Sequence, residues 1–283
     1  MADNVRLAAW AESSVGMVRH RNEDAYLMLP ERSFYLVADG MGGHRRGDLA
    51  SQICVDSIRD FLIGGAARKT VMLFRSMLKL DSRATWERNL CASIEYANRR
   101  IHAASLANRE LTGMGTTVVG VGFEGDQVLA IWCGDSRLYR LRGGVFTQMS
   151  DDQSLVNQYL KAGMLTPAQA RTFPHRNVIL QALGLNETFK YEWLRETVMP
   201  GDIYLMCTDG LNDMVTDERI AEILTSQVGG CGGEQGEDGL EDDHDRLCAA
   251  CHALIQAALD AGGMDNVTVM LVCAGPSDNH VGA

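Results

Sequence analysis

The chain has 283 residues, 46% of them hydrophobic and 22% charged, with a formal net charge of −11. That balance describes a globular chain able to bury a core without metal or disulfide staples, and it excludes disorder as the main state. Charge-free stretches such as Leu111 to Phe123 are too short to span a bilayer, which takes about 20 mostly apolar residues, and the acidic excess argues against nucleic acid or an anionic membrane as partner.

In chain order, Met1 to Glu12 lacks the basic-then-apolar pattern of a signal peptide, so the protein is expected to be cytoplasmic. Strand-like runs follow at Val5 to Ala11, Ala25 to Leu29 and Phe34 to Ala38. Two helices are predicted next. Leu49, Ile53, Ile58, Phe61 and Leu62 make one apolar face, and Leu90, Ile94, Ala97 and Ile101 make another. Further strands are read at Thr116 to Phe123, Val128 to Cys133, Arg137 to Leu141, Ile203 to Cys207 and Val267 to Cys273. In the last of these, Val267, Val269, Leu271 and Cys273 alternate with Thr268, Met270 and Val272, which predicts a strand covered on both faces. Gly229 to Asp245 holds six glycines and seven acidic residues without Lys or Arg, and reads as a flexible acidic loop. A third helix carries Leu247, Cys251, Leu254, Ile255 and Ala258 on one stripe. Strands in hairpin-like order with helices grouped between them predict an α+β fold in one domain, residues 1–283.

The eight cysteines lie mostly in apolar runs and read as reduced core residues. Cys248-Ala249-Ala250-Cys251-His252 matches a haem-attachment spacing but falls inside the third helical stripe, so core packing is the reading.

Acidic residues recur at strand ends. Asp39, Asp135 and Asp209 each follow an apolar strand, Asp265 precedes the last strand, and Glu23-Asp24 precede another. One such aspartate is an ordinary turn residue. Several gathered at one end of stacked sheets repel one another and call for a cation, and all-oxygen ligation suits magnesium or manganese. The chain lacks a phosphate loop, a dinucleotide fingerprint, a nucleophile elbow and an EF-hand loop.

Six ordered motifs carry a resemblance. They are Arg19-His20-Arg21-Asn22-Glu23-Asp24, Asp39-Gly40-Met41-Gly42-Gly43-His44, Gly115-Thr116-Thr117, Gly134-Asp135-Ser136-Arg137, Thr208-Asp209-Gly210-Leu211 and Asp265-Asn266-Val267-Thr268. Together they resemble the bacterial branch of the PPM (type 2C) metal-dependent Ser/Thr protein phosphatases, over about Ala8 to Val272. The resemblance implies a four-layer α-β-β-α sandwich with two central antiparallel sheets and two Mn2+ or Mg2+ ions at one end. It implies that Asp39 bridges both ions, that the Gly40 carbonyl binds one, that Asp209 and Asp265 bind the other, and that Glu23 and Asp24 act through metal-bound water. Asp135 and Asp209 are implied to hold a third, weaker ion. Arg19 stands at the family's phosphate-binding position, with Arg21 as the competing candidate. The chemistry implied is in-line attack on phosphoserine or phosphothreonine by a metal-activated water, with Arg19 and the metals offsetting developing charge.

The resemblance also implies a flap at about 150–184. There Asp152-Gln153-Ser154 and Phe173-Pro174-His175-Arg176-Asn177 depart from the family's D-H-S and H-P-x-R-N. His44 is expected to fix its loop, with proton transfer as the alternative. The implied partners are phosphorylated proteins and a bacterial Ser/Thr kinase pathway, with the phosphatase a monomer. Gly47-Asp48-Leu49-Ala50-Ser51 resembles the variant in phosphatases that oppose kinases of type VI secretion clusters. A pseudophosphatase is disfavoured because Asp24, Asp39, Asp209 and Asp265 are all present, and a nuclease because no basic groove is visible.

Overall fold

The computed structural model describes residues 5–42, 46–64, 68–80, 85–170, 172–229, 231–232 and 239–276. Its strands are β1 (Arg6–Ser14), β2 (Asp24–Leu29), β3 (Phe34–Met41), β4 (Gly115–Thr116), β5 (Val118–Glu124), β6 (Gln127–Cys133), β7 (Arg137–Arg142), β8 (Val145–Gln148), β9 (Glu192–Thr197), β10 (Asp202–Cys207) and β11 (Val267–Gly275). Its helices are α1 (Gly47–Ile63), α2 (Arg68–Met77), α3 (Trp86–Ala107), α4 (Leu155–Lys161), α5 (Pro167–Ala170), α6 (Asp209–Asn212), α7 (Asp217–Gln227) and α8 (Gly239–Asp260). One antiparallel sheet runs β1-β11-β10-β7-β8, and the other runs β2-β3-β5-β6-β9 with β4 paired to β3.

The alternation of side chains along each central strand builds the layers. In β3, Phe34, Leu36 and Ala38 pack under α1 and α3, whereas Tyr35 and Val37 face the other sheet. In β11, Val267, Val269, Leu271 and Cys273 pack under α7 and α8, whereas Met270, Val272 and Ala274 meet the first set across the intersheet core. Every residue of β11 is buried, as its two-sided apolar pattern predicts. The result is the α-β-β-α sandwich. The predicted stripes are buried in α3 (Leu90, Ile94, Ala97, Ile101) and α8 (Leu247, Cys251, Leu254, Ile255, Ala258), whereas in α1 Ile58 and Phe61 are buried and Leu49, Ile53 and Leu62 only partly so. The haem-like cysteine spacing is thus part of a packed helix.

Strands β8 and β9 were not foreseen. Both are sheet edges with few buried side chains, so neither carries a clear apolar pattern. The loop expected at 229–245 needs correction. Helix α8 begins at Gly239, and Cys231 and Asp243 are buried, because Asp243 accepts hydrogen bonds from Arg6 (2.9 Å) and from the Gly232 N–H (3.2 Å). Residues 230 and 233–238 of that segment, and His44, lie outside the described residues.

Candidate metal centre

Antiparallel pairing brings the motif residues to one edge of the sandwich. Asp24 opens β2 directly opposite Asp39 near the end of β3. Strand β10 ends at Cys207, and the Thr208 N–H donates to the Thr268 carbonyl (3.1 Å) at the start of β11, so Asp209 and Asp265 come to line one cavity. Asp135 lies on the link from β6 to β7.

Hydroxyls position these carboxylates. Thr208 and Thr268, both fully buried, donate to the same oxygen of Asp24 at 3.0 and 2.6 Å, tying one sheet to the other. The Asp39 backbone N–H is held by Thr117 Oγ1 (3.1 Å), which in turn meets Ser136 Oγ at 2.7 Å. Asn266 organises the arginine loop. Its side-chain oxygen accepts from the Glu23 N–H (2.8 Å), and its amide donates to the carbonyls of Val15 (3.0 Å) and Arg21 (2.8 Å). These residues lay inside recognised motifs, but only the threonine and asparagine interruptions of apolar strands signalled them.

Two close backbone approaches shape the floor. A Cβ on Gly47 would come within 2.6 Å of the Gly40 carbonyl oxygen and 2.8 Å of Glu23 Oε2, so the first turn of α1 can reach that loop only without a side chain. A Cβ on Gly210 would fall 1.9 Å from the Asn266 carbonyl oxygen.

Electrostatics mark the site. Burial pushes Asp24 up to about 7, Asp209 up to about 6 and Asp135 up to about 8, and the neighbouring carboxylates add to each. Burial raises Asp39 well above the ordinary carboxylate range and raises Glu23 as well. The neighbouring Asp39 side chain works the other way on Asp209, lowering it. Asp24 Oδ1 and Asp135 Oδ1 are buried without any hydrogen-bond partner. Orphaned carboxylate oxygens in an all-oxygen cluster fit a hard divalent cation. Among the described residues, no three of these carboxylates bring oxygens within 4.8 Å of one another.

Arg19 Nη2 donates to Asp265 Oδ2 at 2.6 Å, and this bond raises the arginine further. Arg19, Asp209 and Asp265 line a cavity of about 260 Å³ together with Arg176, Asn177 and Asp213, the last three not foreseen as site residues. Arg21 is more exposed and lies 3.8 Å from Asp48, away from that cavity's lining. A larger cleft of about 800 Å³ opens between Asp135, Asp209 and the flap.

The segment expected as a flap is anchored at several points, and Gln153 is the one of them that departs from the family pattern. The Gln153 side chain accepts from the Gly134 N–H (3.0 Å) and its backbone N–H donates to the Gly134 carbonyl (2.9 Å), so it braces the Asp135 link instead of facing the cleft. Arg137 grips Asp152 through Nε (3.0 Å) and Nη2 (2.7 Å). Arg176 lies 3.6 Å from Asp213.

Comparison with known proteins agrees with this geometry. A family model described as protein phosphatase 2C matches residues 18–242. The chain is 33% identical over 260 residues to the serine/threonine phosphatase stp of Listeria monocytogenes, covering 91% of this chain and 92% of the relative. Its fold matches the crystallised catalytic domain of the serine/threonine protein phosphatase PstP in complex with two manganese ions, at a TM-score of 0.74 and 30% identity over 96% of this chain and 99% of that one. It also matches PppA, described as a key regulatory component of T6SS in Pseudomonas aeruginosa, at a TM-score of 0.72 and 31% identity over 96% and 99% of the two chains. A family model spanning most of the sequence, and relatives aligned nearly end to end, place this chain in the protein phosphatase 2C family.

Proposed function

We propose that this chain is a metal-dependent protein phosphatase that hydrolyses phosphoserine and phosphothreonine, opposing a bacterial Ser/Thr kinase. The carrying observation is the set of raised aspartates at one mouth, with orphaned oxygens on Asp24 and Asp135 and Arg19 at the rim. The residues that would hold the ions are Asp39, the Gly40 carbonyl, Asp209 and Asp265, with Glu23 and Asp24 acting through water and Asp135 joining Asp209 at a third position. When bound, two manganese or magnesium ions supply an activated water and positive charge for the phosphoryl group.

The rest falls to the chain. Asp24, pinned through one oxygen by Thr208 and Thr268, keeps its other oxygen free of any hydrogen bond and so open to a water on the ions. Arg19 stands next to Asp265 and can turn its fork onto two phosphate oxygens, offsetting charge that grows in the transition state. Arg176 and Asn177 of the flap face the same cavity and are placed to orient the phosphoryl group or the peptide around it. Neither a serine nor a cysteine nucleophile is needed.

A cytoplasmic monomer is part of the same reading. Its support is the eight unpaired cysteines, which suit a reducing compartment. The likeness to PppA supports a kinase of a secretion system as the counterpart. The deciding experiment is hydrolysis of an aryl phosphate and a phosphothreonine peptide with and without manganese. Turnover that requires the metal, and disappears in excess chelator, supports the reading; full turnover in chelator overturns it.

A further inference from the structure

Outside the aspartate cluster, one buried group of reactive side chains stands unused. Cys231 on the turn after α7, Cys273 near the end of β11 and Asp243 in α8 place two sulfurs and a carboxylate oxygen within 4.8 Å of one another, all buried. The two sulfurs are therefore neighbours across the gap between the turn and the strand. The backbones are equally close: a Cβ on Gly232 would meet the Ala274 carbonyl oxygen at 2.8 Å, and one on Gly275 would lie 3.5 Å from Gly232 Cα. Sulfurs less than 4.8 Å apart on touching backbones need only a small shift to reach bonding distance.

The surroundings favour thiol chemistry over metal binding. Both Asp243 oxygens are engaged, Oδ2 by Arg6 (2.9 Å) and Oδ1 by the Gly232 N–H (3.2 Å). Among the described residues, the group offers three ligand atoms, whereas a closed zinc site takes four. The neighbouring Cys273 thiol holds the Cys231 thiol below its ordinary value, with Arg246 helping and burial and the Asp243 carboxylate opposing, while Cys273 itself is raised. Cys231 sits next to Gly232, whose φ of +69° is a glycine conformation, while Cys273 is fixed in a central strand.

We propose that Cys231 and Cys273 form a reversible thiol–disulfide pair whose oxidant is a peroxide. The Cys231 thiolate attacks one peroxide oxygen, the O–O bond breaks, and the departing hydroxide takes up a proton as water, leaving Cys231 as a sulfenic acid. The Cys273 sulfur then attacks the Cys231 sulfur. The S–S bond forms, the S–O bond breaks, and the released hydroxide takes the Cys273 proton as a second water. Two thiols lose two electrons and the peroxide gains them. The bond ties the turn after α7 to β11 at the end of that strand remote from Asp265.

The test uses the full chain, reduced, desalted and assayed for bound zinc, then exposed to hydrogen peroxide at neutral pH. The expected result is a mass loss of two hydrogens, one cross-linked peptide pair joining Cys231 to Cys273, and reversal by dithiothreitol. The oxidised form should melt several degrees higher, because the cross-link constrains residues 231–273 in the unfolded chain. Cys231→Ser should abolish the cross-link and the rise in melting temperature, and Cys54→Ser should keep both. Independent over-oxidation of single cysteines, a cross-link between any other pair, or stoichiometric zinc released by peroxide would overturn the proposal. The mass and peptide readouts on the unmutated chain stand even where a variant folds poorly.

Discussion

Asp39 and Asp209 illustrate how one residue can be unfavourable for the fold and necessary for the chemistry. Each is a carboxylate held among carboxylates, and burial raises both. Asp39→Asn and Asp209→Asn should each lower turnover by more than about 100-fold, since even a partner of a ligand is worth about 10–100-fold. In chelator their melting temperatures should equal or exceed that of the unmutated chain, because a like-charge repulsion is gone. A large loss of stability in both variants without metal would show them to be structural turns. Thr208→Val and Thr268→Val remove the donors to Asp24, and manganese affinity should fall about 10–100-fold in each by titration calorimetry. Arg19 and Arg21 are separable by kinetics on one phosphopeptide. Arg19→Ala should cost about 10–100-fold in kcat/KM, the worth of a charge-assisted contact, and Arg21→Ala should stay within about twofold. A larger loss in Arg21→Ala reverses the assignment.

At the level of elements, the flap is held at its root by charge and at its crossing by backbone. The Arg137 grip on Asp152 is bidentate, and Arg137 also donates to Tyr139 Oη (3.0 Å), which donates on to Asp217 at 2.9 Å. Strand β7, the flap root and α7 therefore form one network. An isolated bridge at Ser154–Ile179 joins the two ends of this segment to each other, and one at Thr116–Leu183 ties it to β4. Arg137→Met leaves Asp152 without its fork, so the flap loses its fixed root. The expected outcome is a rise in KM for a phosphopeptide of roughly tenfold, with a smaller change for an aryl phosphate that does not need the flap. Equal losses on both substrates would place Arg137 in support of Asp135 instead.

Over the whole molecule, the aspartate cluster links stability to pH. In the unfolded chain a carboxyl ionises near pH 4. In the folded, chelated protein Asp24, Asp209 and Asp135 keep their protons up to about 7, 6 and 8. Between those limits the folded state binds more protons than the unfolded one, so their contribution is fully present below about pH 4 and is lost as pH rises toward 8. The informative quantity is a difference between two chains, in which every other titrating group cancels. In chelator, Asp135→Asn should melt progressively higher than the unmutated chain as pH goes from 4 to 8. A difference that stays flat or shrinks counts against the raised aspartates. Added manganese should stabilise more at pH 8 than at pH 5, because binding displaces protons from the same ligands.

The sequence by itself determined the α+β class, the central strands and three main helices, since each buries one or two faces and burial writes a period of two or 3.6 into the residues. It also determined the candidate carboxylates, because an aspartate at the mouth of an apolar strand is conspicuous, and the resemblance ordered them into a site. Edge strands β8 and β9 were not legible, because an edge with exposed faces has no period to read. The start of α8 was hidden behind acidic and glycine-rich composition, and Asp243 became a buried residue only through Arg6, far away in sequence. The tertiary structure alone decided which arginine stands over the aspartates, that Gln153 braces Gly134, and that Cys231 meets Cys273. These are contacts between segments distant in the chain. Only the register of antiparallel strands and the stacking of two sheets set which side chains come within bonding distance.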